Sequence, residues 1–252
     1  MANSTLGKVY LVGAGPGNLE LLTLKAARLI QDADAIVFDH LVGADILALA
    51  RIDARKIYVG KESAKHTTPQ ESINTMLVAL AQEGLQVVRL KGGDPFIFGR
   101  GGEELTTLAA ADISFEVVPG VTAAAGCAAY AGFPLTHRDF AQSVTFVTGH
   151  LKDNTVNLDW VALARPKQTI VFYMGVGAAS QISQQMQAHG LPGTTPVAVV
   201  RNGTLPDQLT VLATLETLPD TLSRHQIKPP ALIIVGEVVS LQPQLAWYAI
   251  QE

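Results

Sequence analysis

The sequence predicts an α/β protein of two α/β domains with largely parallel sheets. Three observations carry this. Apolar, β-branched runs recur along the 252 residues, at Val9–Val12, Ala35–Phe38, Val87–Leu90, Phe115–Val118, Val144–Val147, Thr169–Met174, Pro196–Val200 and Ala231–Val235. The runs are continuous rather than alternating, as strands covered on both faces require. Between several of them lie stretches with helical spacing: Leu21, Leu22, Leu24, Leu29 and Ile30; then Ile73, Met76, Leu77 and Leu80; then Ile182, Met186 and Leu191. Strands that alternate with helices are the pattern of α/β folds.

In chain order, the strand Val9–Val12 runs into Gly13-Ala14-Gly15-Pro16-Gly17, and the leucines from 21 to 30 give a helix. Ala35–Phe38 stops at Asp39, and a further strand stops at Val59-Gly60 before Lys61. The helix through Ile73 and Leu80 leads into Val87–Leu90, which opens on the glycine cluster from Gly92 to Glu104. Phe115–Val118 ends in Pro119-Gly120, where the domain boundary is placed: residues 1–118 form the first domain and 119–252 the second. Leu209–Leu212 has strand character and can pair antiparallel with its neighbour, so a mixed sheet is expected in the second half. Ligands in such folds collect at the carboxyl ends of strands and between domains.

Composition narrows the function. Hydrophobic residues make up 48% and charged residues 16%, which fills a core and argues against disorder. The net charge of −4 argues against nucleic acid as main partner. The single cysteine, Cys127, allows no intrachain disulfide and fits a reducing compartment. The least polar region, residues 117–135, is interrupted by Pro119, Gly120, Gly126, Gly132 and Pro134, and the first residues lack a basic start followed by an apolar stretch. No membrane span, no signal peptide and a cytoplasmic setting are expected. With no cysteine pair and scattered histidines, no metal set is expected.

Four constellations carry candidate chemistry. Five glycines stand among the thirteen residues from Gly92 to Glu104, a density suited to close approach of a small molecule to the main chain. In Gly13–Gly17 the spacing differs from the dinucleotide fingerprint, and Pro16 removes an N–H that a pyrophosphate would need. A loop packed on a ligand without phosphates, or a tight structural turn, remains. Asp39, at a strand end, is a candidate general base or a cap and salt-bridge residue. Lys61 is a proton donor, an anion ligand or an exposed lysine. Lys65 and His66 beside it, Arg100 in the glycine cluster, and His137 and Arg138 in Pro134-Leu135-Thr136-His137-Arg138 are basic groups suited to several carboxylates of one substrate, or else dispersed surface charge. Thr122-Ala123, Met174, Gly203 and Ala231 all sit beside expected strand ends.

Taken in order, Val12–Gly17, Asp39–Val42, Val59-Gly60-Lys61, Gly92–Glu104, Val118–Ala123 and Pro134–Arg138 resemble the tetrapyrrole methylase family, over about Gly7 to Trp247. The strings GGDPFIFGRGGEE and LTHRD are most similar to members that methylate uroporphyrinogen III. The resemblance implies two α/β domains of the tetrapyrrole methylase type with an active-site cleft between them, a homodimer, and S-adenosylmethionine as methyl donor. It implies transfer to carbons 2 and 7 of uroporphyrinogen III, giving precorrin-2 for siroheme or cobalamin synthesis. Donor contacts are implied at Pro16, Gly92, Gly93, Asp94, Ile97, Thr122, Ala123, Met174, Gly203 and Ala231. Asp39 matches the family's proton acceptor and Lys61 its proton donor. Phe38 and His40 depart from the tyrosine and arginine of many members. The chain does not carry the dehydrogenase and ferrochelatase module fused to some members, so methylation alone is expected.

Overall fold

The structure, a computed structural model, describes residues 6–60, 68–149 and 158–248. The chain divides into two compact units, Met1–Ala123 and Ala124–Glu252.

The first unit holds strands β1 (Lys8–Gly13), β2 (Ala35–Phe38), β3 (Arg55–Tyr58), β4 (Gln86–Lys91) and β5 (Ser114–Val118). They form one sheet in the order β3-β2-β4-β1-β5, parallel at every pair. All five carboxyl ends therefore meet the same sheet edge. Helices α1 (Leu24–Asp32) and α2 (Ala44–Leu47) lie on one face, α3 (Gln70–Gln82) and α4 (Gly101–Ala110) on the other. The pleat deals side chains to each: Val12, Ile36, Val88 and Leu90 pack with Leu29, Ile30 and Ile46, whereas Val9, Val37 and Val87 pack with Ile73, Leu77, Leu80 and Leu108. Burial on both faces is why these strands read as unbroken apolar runs. Each fully buried leucine or isoleucine contributes about 1.5–3 kcal/mol.

Two expectations shift. Leu21, Leu22 and Leu24 do not share a helical face with Leu29: Leu19–Leu21 is a separate 3₁₀ turn, and the Thr23 side chain accepts from Ala26 N–H at 3.1 Å, so α1 starts only at Leu24. Leu24 is 92% exposed. The third strand ends at Tyr58 rather than Val59, although Val59 N–H still donates to Phe38 O at 2.8 Å.

In the second unit, α5 (Ala123–Ala131) opens across the boundary and is followed by β6 (Ser143–Thr148), α6 (Trp160–Leu163), β7 (Gln168–Tyr173), α7 (Ala179–Ala188), β8 (Pro196–Arg201), β9 (Leu209–Thr214), α8 (Leu218–Arg224), β10 (Ala231–Val235) and α9 (Gln242–Leu245). The sheet order is β6-β7-β10-β8-β9. Only β6–β7 is parallel; β10 runs against β7 and β8, and β9 against β8, the mixed sheet expected there. Ile170, Phe172, Val197, Val199 and Ile233 form its core with Ile182, Met186 and Leu218. Leu191 packs on this core from beyond the end of α7. Because β10 is reversed, its first residue, Ala231, pairs with Arg201, the last of β8. Among the described residues no helix is long and apolar enough to cross a membrane.

Candidate active site

Three loops of the first unit lock together at the carboxyl edge of its sheet. Strands β4, β1 and β5 are neighbours in the sheet, so the segments that follow them must share space. Gly15 N–H donates to Gly93 O at 3.1 Å and Gly93 N–H to Gly15 O at 2.7 Å. A Cβ on Gly13 would lie 2.6 Å from Gly120 N and 2.7 Å from Gly93 O. Main chain thus packs on main chain, and only glycine fits at Gly13 and Gly120. Gly93 adds a left-handed φ of +67°. Gly92 is needed because a Cβ there would stand 2.6 Å from the Leu41 Cβ. Part of the glycine cluster is therefore explained by loop-on-loop packing before any ligand is considered.

Asp94 fastens the same loops. Its Oδ1 accepts from Phe96 N–H at 2.9 Å, and its Oδ2 from Gly120 N–H at 3.1 Å. It ties the loop after β4 to the loop after β5, which continues through Thr122 to Ala123. The expected donor residues Pro16, Gly92, Gly93, Asp94, Ile97 and Thr122 lie on these three loops at one sheet edge, and Ala123 opens α5 directly after the third.

Asp39 stands on the neighbouring strand end, just after β2. Its Oδ1 accepts from Leu41 N–H at 3.1 Å, closing a turn that ends the pleat. Its Oδ2 is 3.5 Å from Nη2 of Arg89. Behind Arg89 lies a buried ionic group that the sequence reading missed. Arg89 Nε and Lys91 Nζ each stand 3.0 Å from Oε1 of Glu104, and Gln70 Nε2 donates to the same oxygen at 3.1 Å. Burial and the charge of Arg89 push the Lys91 ammonium below the usual lysine range, against the opposing pull of Glu104. The missed signal was positional. Arg89 and Lys91 sit two apart in a run otherwise fit for a central strand, so both side chains fall on one covered face and require a buried acid.

In the second unit the reversed β10 brings Met174, Gly203 and Ala231 to one edge. Met174 follows β7, Gly203 follows β8, and Ala231 opens β10 beside Arg201. Three side-chain-bearing residues there have left-handed φ: Met174 at 54°, Asn202 at 49° and Thr204 at 71°. Such strain concentrates at functional sites. Met174 is also 52% exposed, unusual for so apolar a residue at the end of a core strand. Gly203 packs directly on Cys127 of α5, whose thiol burial pushes up to about 12, so it stays protonated.

The expected substrate-binding cations are held locally. Arg100 caps α4 in a left-handed conformation (φ 57°) and forms a two-pronged pair with Glu103, at 2.8 and 2.6 Å. His137 closes a tight turn: its main chain exchanges two hydrogen bonds with Ala141, and its Nδ1 accepts from Asp139 N–H at 3.2 Å. Arg138 is exposed in that turn. Lys61, Lys65 and His66 lie outside the described residues. Among the described residues no cluster of three histidine, cysteine or acidic side chains is placed to hold a metal ion.

Comparison with known proteins agrees with this architecture. Residues 8–219 match the family model of tetrapyrrole (corrin/porphyrin) methylases. The chain is 60% identical over 243 residues to a siroheme synthase of Nitrosomonas eutropha, covering 96% of this chain and 51% of that protein. It thus spans about half the length of the curated relatives it matches. Among solved structures, a uroporphyrin-III C-methyl transferase from Thermus thermophilus complexed with S-adenyl homocysteine superposes with a TM-score of 0.81 at 40% identity, over 93% of this chain and 94% of that one. A cobalt precorrin-4 methyltransferase gives a TM-score of 0.83 at 29% identity, over 95% and 98%. A family match across most of the chain, on two sheets whose loops carry the family's motifs, leaves one conclusion: the chain belongs to the tetrapyrrole methylase family.

Proposed function

We propose that this chain transfers methyl groups from S-adenosylmethionine to carbons 2 and 7 of uroporphyrinogen III, giving precorrin-2. The observation that carries the reading is the clustering of every first-unit residue implied for the donor on, or directly after, three interlocked loops at one sheet edge. The likeness to the Thermus thermophilus methyl transferase, at 40% identity, supports it. The residues fit such a donor. Glycine main chain and small side chains suit a nucleoside without phosphates, and Pro16 withholds an N–H where a pyrophosphate would need one.

The donor supplies an electrophilic sulfonium methyl. The acceptor pyrrole carbon is electron-rich and needs no enzyme nucleophile. As its new C–C bond forms, the C–S bond breaks and leaves the thioether, and the cationic macrocycle then releases a proton. The chain's first task is alignment, a contribution of about 7–11 kcal/mol when near-attack geometry is enforced. The loops after β1, β4 and β5, with Met174, Gly203 and Ala231, are assigned to it. Asp39 accepts the released proton, directly or through water, and Lys61 acts as proton donor. Arg100, His137 and Arg138 bind the carboxylates of the macrocycle. The protein acts as a homodimer, and its free thiol suits the reducing cytoplasm.

Anaerobic incubation with both substrates, followed by mass spectrometry, tests the reaction. The expected product carries two added methyl groups; an unchanged macrocycle, or methyl groups at other ring positions, overturns the assignment. Asp39→Ala is expected to slow turnover about 10²-fold or more while S-adenosylhomocysteine affinity by calorimetry holds. Near-normal turnover would return Asp39 to a structural role.

A further inference from the structure

The buried ionic group beneath Asp39 is larger than the packing of a sheet and two helices needs. Replacing buried ion pairs with apolar residues of similar volume is often neutral or stabilising. Here Arg89 and Lys91 have side chains only 4% and 6% exposed, and Glu104 has none of its surface exposed. Of the four charged members Asp39 has the most exposed side chain, at 22%.

The hydrogen bonds give the group a direction. Arg89 has its Nε on Glu104 Oε1 at 3.0 Å and its Nη1 on Leu90 O at 2.8 Å. A planar guanidinium held at two nitrogens cannot swing, so the position of Nη2 is fixed as well. Nη2 is the nitrogen that faces Asp39 Oδ2. Glu104 is held in turn by Lys91 and Gln70, and Gln70 also donates to Asn74 Oδ1 at 3.0 Å. Glu104 is thus fixed from α3 and β4, and it fixes Arg89 in turn. With Leu41 N–H on Oδ1, both oxygens of Asp39 are engaged.

We propose that Arg89, clamped by Glu104, is a positioning residue that holds the Asp39 carboxylate in place at the sheet edge for its proton-accepting step. This rests on the role given to Asp39 above. Arg89 touches no reacting atom; it acts through Asp39 alone.

A double-mutant cycle tests it. Arg89→Lys keeps a cation beside Glu104 and loses the fork that reaches Asp39. It is expected to lower kcat about tenfold, a part of the about 10²-fold assigned to the carboxylate itself, with KM for both substrates and S-adenosylhomocysteine affinity nearly unchanged. In the Asp39→Asn background the same change is expected to cost nothing further. Glu104→Gln is isosteric and keeps Oε1 as an acceptor, so it provides a second, gentler variant should Arg89→Lys fold poorly. It should show a smaller loss that also vanishes in the Asp39→Asn background. Equal losses in both backgrounds, or a loss confined to donor affinity, overturn the proposal and leave the role of Asp39 intact. Full turnover in Asp39→Asn alone overturns both.

Discussion

At Gly203 the chain has no room for a methyl group, because a Cβ would overlap the Cys127 sulfur. The φ of this residue is not left-handed, so the constraint is packing and not backbone strain. Gly203→Ala is expected to destabilise the protein by about 1–3 kcal/mol, the usual range for overpacking. Adding Cys127→Ala should recover part of that loss, since the sulfur is the nearest atom. Urea denaturation of the two single variants and the double variant reads this directly; strictly additive losses would show that the two residues do not share the space. Asp94 is a second residue whose role is fixed by contact. Asp94→Ala removes both of its loop hydrogen bonds and is expected to cost about 2 kcal/mol, as charged hydrogen-bond acceptors do. Both carboxylate oxygens are taken by main-chain N–H groups of two different loops.

The elements were legible where periodicity was strong and ambiguous where a cap decided. The apolar runs marked the strands because both faces of each sheet are covered. The start of α1 was misplaced because leucines before Thr23 continue an apolar pattern that the Thr23 cap interrupts. Thr23→Ala is expected to lower stability by about 1 kcal/mol through the orphaned Ala26 N–H, measurable as a shift in the urea midpoint with unchanged slope. On β4, Arg89 and Lys91 stand in an otherwise apolar run. Their meaning depends on Glu104, which sits fifteen and thirteen residues further on and meets them only because α4 folds back over the sheet.

Acid should weaken the molecule through identifiable pairs. Lys25 and Lys8 bond the Glu116 carboxylate and hold it down at about 2, joining α1, β1 and β5. A depressed acid contributes stability that is fully present above its unfolded value, about 4.3, and is lost as pH falls toward 2. The three side chains are partly exposed, so the effect is small and screened by salt. Glu116→Gln is expected to leave the Tm at pH 7 nearly unchanged in high salt and to flatten part of the decline between pH 4.3 and 2. Thermal melts across that range check it; an unchanged acid slope would show that the pairs add nothing.

The sequence by itself determined the alternation of strands and helices, the mixed character of the second sheet, and the motif order that marks the family. Those are properties of local periodicity and of residue types at fixed spacings, which need no knowledge of partners. Only the tertiary structure decided which glycines answer to another loop's main chain, that Met174, Gly203 and Ala231 share one edge through the reversal of β10, and that Asp39 rests on a buried arginine. Each depends on groups far apart in the chain meeting in space, and such meetings leave no periodic trace in the order of residues.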